Sequence, residues 1–93
     1  MIKILDDYVV VPGPYDYMLA KDTGRLDKKT GAPELRPLSY HGSPRKAILA
    51  LRDYMVRKSL ANVDGDLSEA IRAIEAVDKR FIDVLNKAMG EER

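Results

Sequence analysis

The sequence has no cysteine and no tryptophan, and only one histidine and one phenylalanine. Without thiols there is no disulfide framework, no thiolate metal site and no cysteine nucleophile, and this usage fits a reducing cytoplasm. A single imidazole gives no HxxxH-type spacing, so no zinc set of the usual kind can be drawn. Neither GxxxxGK[ST] nor GxGxxG occurs, so no phosphate-binding loop is present. No apolar run approaches the roughly 18–20 residues of a membrane span. The opening stretch MIKILDDYVVVPG sets two aspartates ahead of its valines, which is not the pattern of a signal peptide. These absences lead to an expectation of no catalytic residues, no cofactor, no metal and no membrane.

What is present is globular. The chain has 93 residues, 45% hydrophobic and 33% charged, the composition of one folded domain and not of a disordered segment. Its net charge is only +1, but the charge is unevenly spread. Residues 21–58 hold ten Lys and Arg against four Asp and Glu, while residues 59–93 hold five against eight. A basic middle beside acidic ends can set up a polar field that steers partners.

The first half carries β signals. Tyr8–Val11 is rich in β-branched residues and stops at Pro12-Gly13-Pro14; Tyr15–Lys21 then alternates, so the two pair as a hairpin. Ile2–Leu5 either extends the first strand or forms a short one of its own. Residues 22–33 are polar, with Gly24, Gly31 and Pro33, and read as a flexible loop. Glu34–His41 reads as a third strand, at an edge or with a bulge because Pro37 has no N–H to donate.

The second half carries helix signals. Ser43-Pro44 starts a helix, the hydroxyl capping it and the proline occupying the first position, where its missing N–H is no loss. That helix is expected over 43–61. Its apolar residues fall on two sides, Ile48, Leu51 and Met55, then Leu49, Val56 and Leu60, as in a helix packed between layers. Asn62–Asp66 breaks it. Asp66 caps a second helix over 66–90, with Glu69 in capping-box position. Leu67, Ala70, Ile74, Val77, Phe81, Val84 and Ala88 alternate spacings of three and four, widened by Ile71 and Leu85. This stripe suits packing on the first helix, a homodimer seam or a partner's groove, with Leu67, Ile74, Val77, Phe81 and Val84 the candidate face. The fold class expected is α+β: an antiparallel hairpin or three-stranded sheet followed by two antiparallel helices in a single domain.

Three constellations bear on chemistry. Asp22-Thr23-Gly24 repeats the tripeptide of retroviral-type aspartic proteases, whose two aspartates share one proton in a desolvated site. Here it sits between Lys21 and Arg25-Leu26-Asp27-Lys28-Lys29, too charged to desolvate a carboxylate pair, and reads as a turn built on an Asx hydrogen bond and a positive φ at Gly24. His41 has Ser43 close in sequence, but Ser43 is needed as the cap, so His41 reads as a contact or structural residue. Arg45 and Lys46 lie in the first turn of a helix, where the macrodipole disfavours cations unless an anion compensates.

The basic set is Lys21, Arg25, Lys28, Lys29, Arg36, Arg45, Lys46, Arg52, Arg57 and Lys58. If the loop, third strand and first helix converge, they make a footprint of nucleic-acid size, with Tyr40 or Tyr17 for stacking. Against direct nucleic-acid binding stand the acidic second helix and a pI near 7.9, and no RNP, helix-turn-helix or zinc-finger pattern is present. The contact residues expected are Arg25, Lys28, Lys29, Arg36, Tyr40, His41, Arg45 and Lys46.

Taken together, Asp7-Tyr8, Tyr17-x-Leu19-x-Lys21, Lys28-Lys29-Thr30-Gly31, Tyr40-His41-Gly42-Ser43 and the acid-capped Asp66-Leu67-Ser68-Glu69-Ala70-Ile71 resemble small accessory proteins of bacteriophages and integrated mobile elements. His41 stands in the second aromatic place of that pattern's aromatic-aromatic-Gly-Ser block. The resemblance covers most of the chain through short motifs and implies no catalytic residues. It implies stoichiometric binding in the cytoplasm of a bacterial host. The first expectation is inhibition of a host nucleic-acid-guided defence complex, as anti-CRISPR proteins do. The second is a small DNA- or RNA-binding accessory protein of phage replication or recombination. A homodimer through the second helix is a further expected contact.

Overall fold

The structure, a computed structural model, describes residues 1–91. It is α+β: strands β1 (Ile2–Leu5), β2 (Tyr8–Pro12), β3 (Tyr17–Leu26) and β4 (Pro33–His41), then helices α1 (Pro44–Leu60) and α2 (Leu67–Glu91). The strands form one antiparallel sheet in the order β1-β2-β3-β4. The chain divides into two compact units, and the second starts at Arg52, inside α1.

In the first unit every strand pairs with the next, because each connection is short. Ile2–Leu5 is a strand of its own: Asp6 and Asp7 turn the chain so that Leu5 pairs with Tyr8. Asp6 adopts φ 50°, a left-handed conformation that aspartate tolerates better than most side chains. The next turn closes through the Gly13 N–H donating to the Asp16 carbonyl at 2.7 Å. A Cβ at Gly13 would stand 2.9 Å from Asp16 Oδ1 and 3.3 Å from the Asp16 carbonyl oxygen, so any other residue there would require Asp16 to shift.

Two expectations about the sheet need correction. It has four strands, not two or three. The supposed loop 22–33 shrinks to residues 27–32, because β3 runs on to Leu26 and β4 starts at Pro33. Polar composition hid these strand ends, which are exposed on both faces and so show no apolar alternation. The short loop is also braced from within. Asp27 Oδ1 accepts from the N–H of Lys29 at 2.7 Å and of Thr30 at 3.3 Å, and the Gly31 N–H donates to the Asp27 carbonyl at 2.8 Å.

β4 lies at the sheet edge, as Pro37 requires, and it bulges as well. Leu19 pairs with Ser39 but Ala20 pairs with Pro37, leaving Leu38 as the extra residue. The core lies around β2 and β3. Val9 and Val10 are each 1% exposed although neighbours on a strand point to opposite faces, so the sheet is covered on both sides here. Val9 pairs with Ala20 and Val10 with Leu19, all buried.

Helix α1 starts as its cap dictates: Ser43 Oγ accepts from the Lys46 N–H at 3.1 Å. Within the first unit Ala47 and Leu51 are fully buried, whereas Leu49 is 52% exposed. The two-sided packing expected of α1 therefore fails in its first half. Burial on two sides occurs only in the second unit, at the adjacent residues Met55 and Val56. There α2 buries Val77 and half-buries Ile74, Phe81 and Val84. At its start Asp66 Oδ1 accepts from the Glu69 N–H at 3.2 Å and from the Ser68 hydroxyl at 2.8 Å.

Candidate functional site

The hairpin β3–β4 carries most of the expected contact residues. Its register decides which of them meet. Tyr8, Lys21 and Arg36 lie in one row across β2, β3 and β4, because Tyr8 pairs with Lys21 and Lys21 with Arg36. Cross-strand partners share a face with Cβ atoms about 5 Å apart, and like charges placed so are destabilising. Lys21 gains only a contact with the Tyr8 ring, its Nζ 5.8 Å from the centroid. Neither cation makes an ion pair among the described residues. The register thus sets two cations without ion pairs in neighbouring positions on one face of the sheet.

Toward the tip, β3 bulges where the tripeptide Asp22-Thr23-Gly24 sits. The Gly24 N–H donates to Asp22 Oδ1 at 2.9 Å, and Gly24 takes φ 81°. This is the Asx geometry expected of the tripeptide, built into a strand and not a loop. Asp22 is held by that bond, and the Thr23 hydroxyl by Glu34 at 3.1 Å. Beyond it Arg25, Leu26, Asp27, Lys28, Lys29 and Glu34 line an open hollow of about 450 Å³. The cations here are exposed, Arg25 on β3 and Lys28 and Lys29 on a loop that Asp27 holds in shape.

The remaining expected residues lie elsewhere. β4 runs from Pro33 beside Leu26 to His41 beside Tyr17, so the tip and the base are separated by about 26 Å of strand. Tyr40 and His41, adjacent on the strand, point to opposite faces. Arg45 and Lys46 are exposed at the start of α1. The eight contact residues thus form a tip group, a base group and Arg36 between them, not one patch.

Two partnerships escaped the sequence reading. His41 Nε2 lies 2.6 Å from Ser39 Oγ, not from Ser43; a spacing of two on a strand puts both on one face, and that signal was available. Arg52 is not a free cation of the footprint. It binds Asp78 through Nε at 2.8 Å and Nη2 at 3.1 Å, and Asp53 at 3.3 Å. A partner 26 residues away on another helix leaves no local signal in the sequence.

The Arg52 guanidinium holds the Asp78 carboxyl below the usual aspartate range, and Asp78 and Asp53 raise Arg52 further above its own. The Ser68 hydroxyl, then the Glu69 N–H, lower Asp66 in the same way. A depressed carboxyl contributes stability above its unfolded value of about 4 and loses it as pH falls through the folded value. Wild type should therefore exceed Asp78→Asn in urea midpoint at neutral pH, and the gap should close as pH drops below about 4. A gap that persists at acid pH would show that the pair does not stabilise through charge.

Among the described residues no three His, Cys, Asp or Glu side chains cluster to hold a metal ion, and no helix is long and apolar enough to cross a membrane. The fold is α+β, with a four-stranded antiparallel meander that carries a cationic hairpin. No family model matches the chain, and no curated protein or solved structure is significantly similar to it.

Proposed function

We propose that the chain is a non-enzymatic accessory protein of a phage or mobile element that binds a host nucleic-acid-guided defence complex stoichiometrically and inhibits it. The observation that supports this is the hairpin itself. It presents Lys28 and Lys29 on a loop braced by Asp27, with Arg25 on β3 and Arg36 on β4, all without ion pairs among the described residues. A loop held in its bound shape spends less free energy on ordering when it docks. Asp27 and Glu34 stand among these cations, and such mixed charge suits a protein surface better than a run of phosphates.

The test is titration of a purified RNA-guided nuclease of the host. Activity should fall to zero near one equivalent, and the variant with Arg25, Lys28, Lys29 and Arg36 all changed to Glu should leave it intact. Full cleavage in the presence of excess wild-type protein overturns the inhibitor reading. A second reading, direct DNA or RNA binding, is favoured by Lys21 beside Arg36, a phosphate-sized seat. It requires a retarded oligonucleotide whose affinity falls steeply with salt, and the absence of any shift at low salt removes it.

A further inference from the structure

Helix α2 has more apolar surface than its own chain covers. Val77 is buried, yet Leu67, Ile71, Ile82 and Leu85 are 74, 44, 55 and 56% exposed. At 100° per residue these four fall within an arc of about 60° and span about 27 Å. They form a second stripe, turned away from Val77 around the helix.

The stripe is close to a palindrome. Leu67 and Leu85 lie nine residues either side of Ala76, and Ile71 and Ile82 five and six residues from it. The exposed charges along its outer flank read Arg72, Glu75, Lys79 and Asp83, in alternating sign. None of the four makes an ion pair among the described residues. A second copy turned end for end about the level of Val77 sets Glu75 opposite Lys79 and brings Arg72 within one residue of Asp83. An in-register parallel copy carries this flank to the opposite side of the seam, so none of the four charges meets its complement there.

We infer that this stripe is the seam of a homodimer in which two α2 helices run antiparallel about a twofold axis at the level of Val77. The charge order selects a second copy of this chain over an unrelated helix, since one surface supplies both halves of each pair. Asp78 lies in the same arc, and Arg52 already neutralises it at 2.8 Å, so the seam does not bury a lone carboxylate. The inference uses no residue of the hairpin and stands apart from the proposed function.

Light scattering should give twice the 10.5 kDa of the chain, and Leu85→Glu should halve it while circular dichroism is unchanged. Glu75→Lys and Lys79→Glu should each weaken the dimer about tenfold, and an equal mixture of the two should restore it as a heterodimer. Pairing within one helix cannot produce that rescue. The chain has no cysteine of its own, so Ser68→Cys mixed with Asn86→Cys should cross-link through a short bismaleimide, with little product from either alone. A monomeric mass at millimolar concentration, a dimer insensitive to Leu85→Glu, or Ser68→Cys cross-linking to itself as well as in the mixture overturns the inference. A monomer that takes up another protein's helix along the stripe does so too.

Discussion

Replacing Leu51 with alanine should destabilise the protein by about 2–5 kcal/mol, the range for a buried leucine that leaves a cavity behind. Leu51 is fully buried in α1, and its side chain is among the largest such in the chain. A folded chain of 93 residues has a total stability of roughly 5–14 kcal/mol. The substitution therefore removes from about a seventh to all of it, and the urea midpoint should fall accordingly. Leu49, two residues earlier on the same helix, is 52% exposed. Leu49→Ala should cost less than about 1 kcal/mol, because most of its side chain is already in water. Equal losses at the two positions would contradict the burial described for α1.

The second large effect separates stability from binding. Arg36→Glu places a carboxylate opposite Lys21, turning a like-charge cross-strand pair into an attractive one. The fold should gain about 1 kcal/mol. The anion seat should lose its charge at the same time, and affinity for the anionic partner should drop at least about tenfold. Thermal denaturation reads the first effect and the inhibition titration or mobility shift reads the second. A stability that falls, with binding unchanged, would make Arg36 a structural residue and remove it from the contact surface.

Much of the architecture was legible because its signals are local. Ser43 and Asp66 have short polar side chains that reach the backbone three residues on, and both caps form as the sequence indicates. Pro37 cannot donate to a ladder, and β4 lies at the edge with a bulge beside it. The Asp22 to Gly24 turn was also readable, since an Asx bond spans two residues. The ends of β3 and β4 were not. Exposed on both faces, they carry no apolar alternation, and only pairing with each other makes them strands. Composition therefore mistook a braced hairpin for a flexible loop.

The candidate site was legible as a list of residues and illegible as a surface. The sequence named Lys21 and Arg36 among ten cations, but their juxtaposition depends on the β3–β4 register, which includes two irregularities. Arg52 was on the same list and drops out through Asp78. The apolar stripe of α2 divided in a way that periodicity does not show: Val77 turned inward, Leu67 stayed in water, and Ile74, Phe81 and Val84 lie between.

The sequence by itself determined that strands precede two helices, where both helices start and that Pro37 confines β4 to an edge or a bulge, because each follows from groups within a few residues of one another. Tertiary structure alone decided which cations face each other, which are neutralised and which side of each helix meets water. Those outcomes depend on strand register and on partners distant along the chain, and no local interaction encodes them.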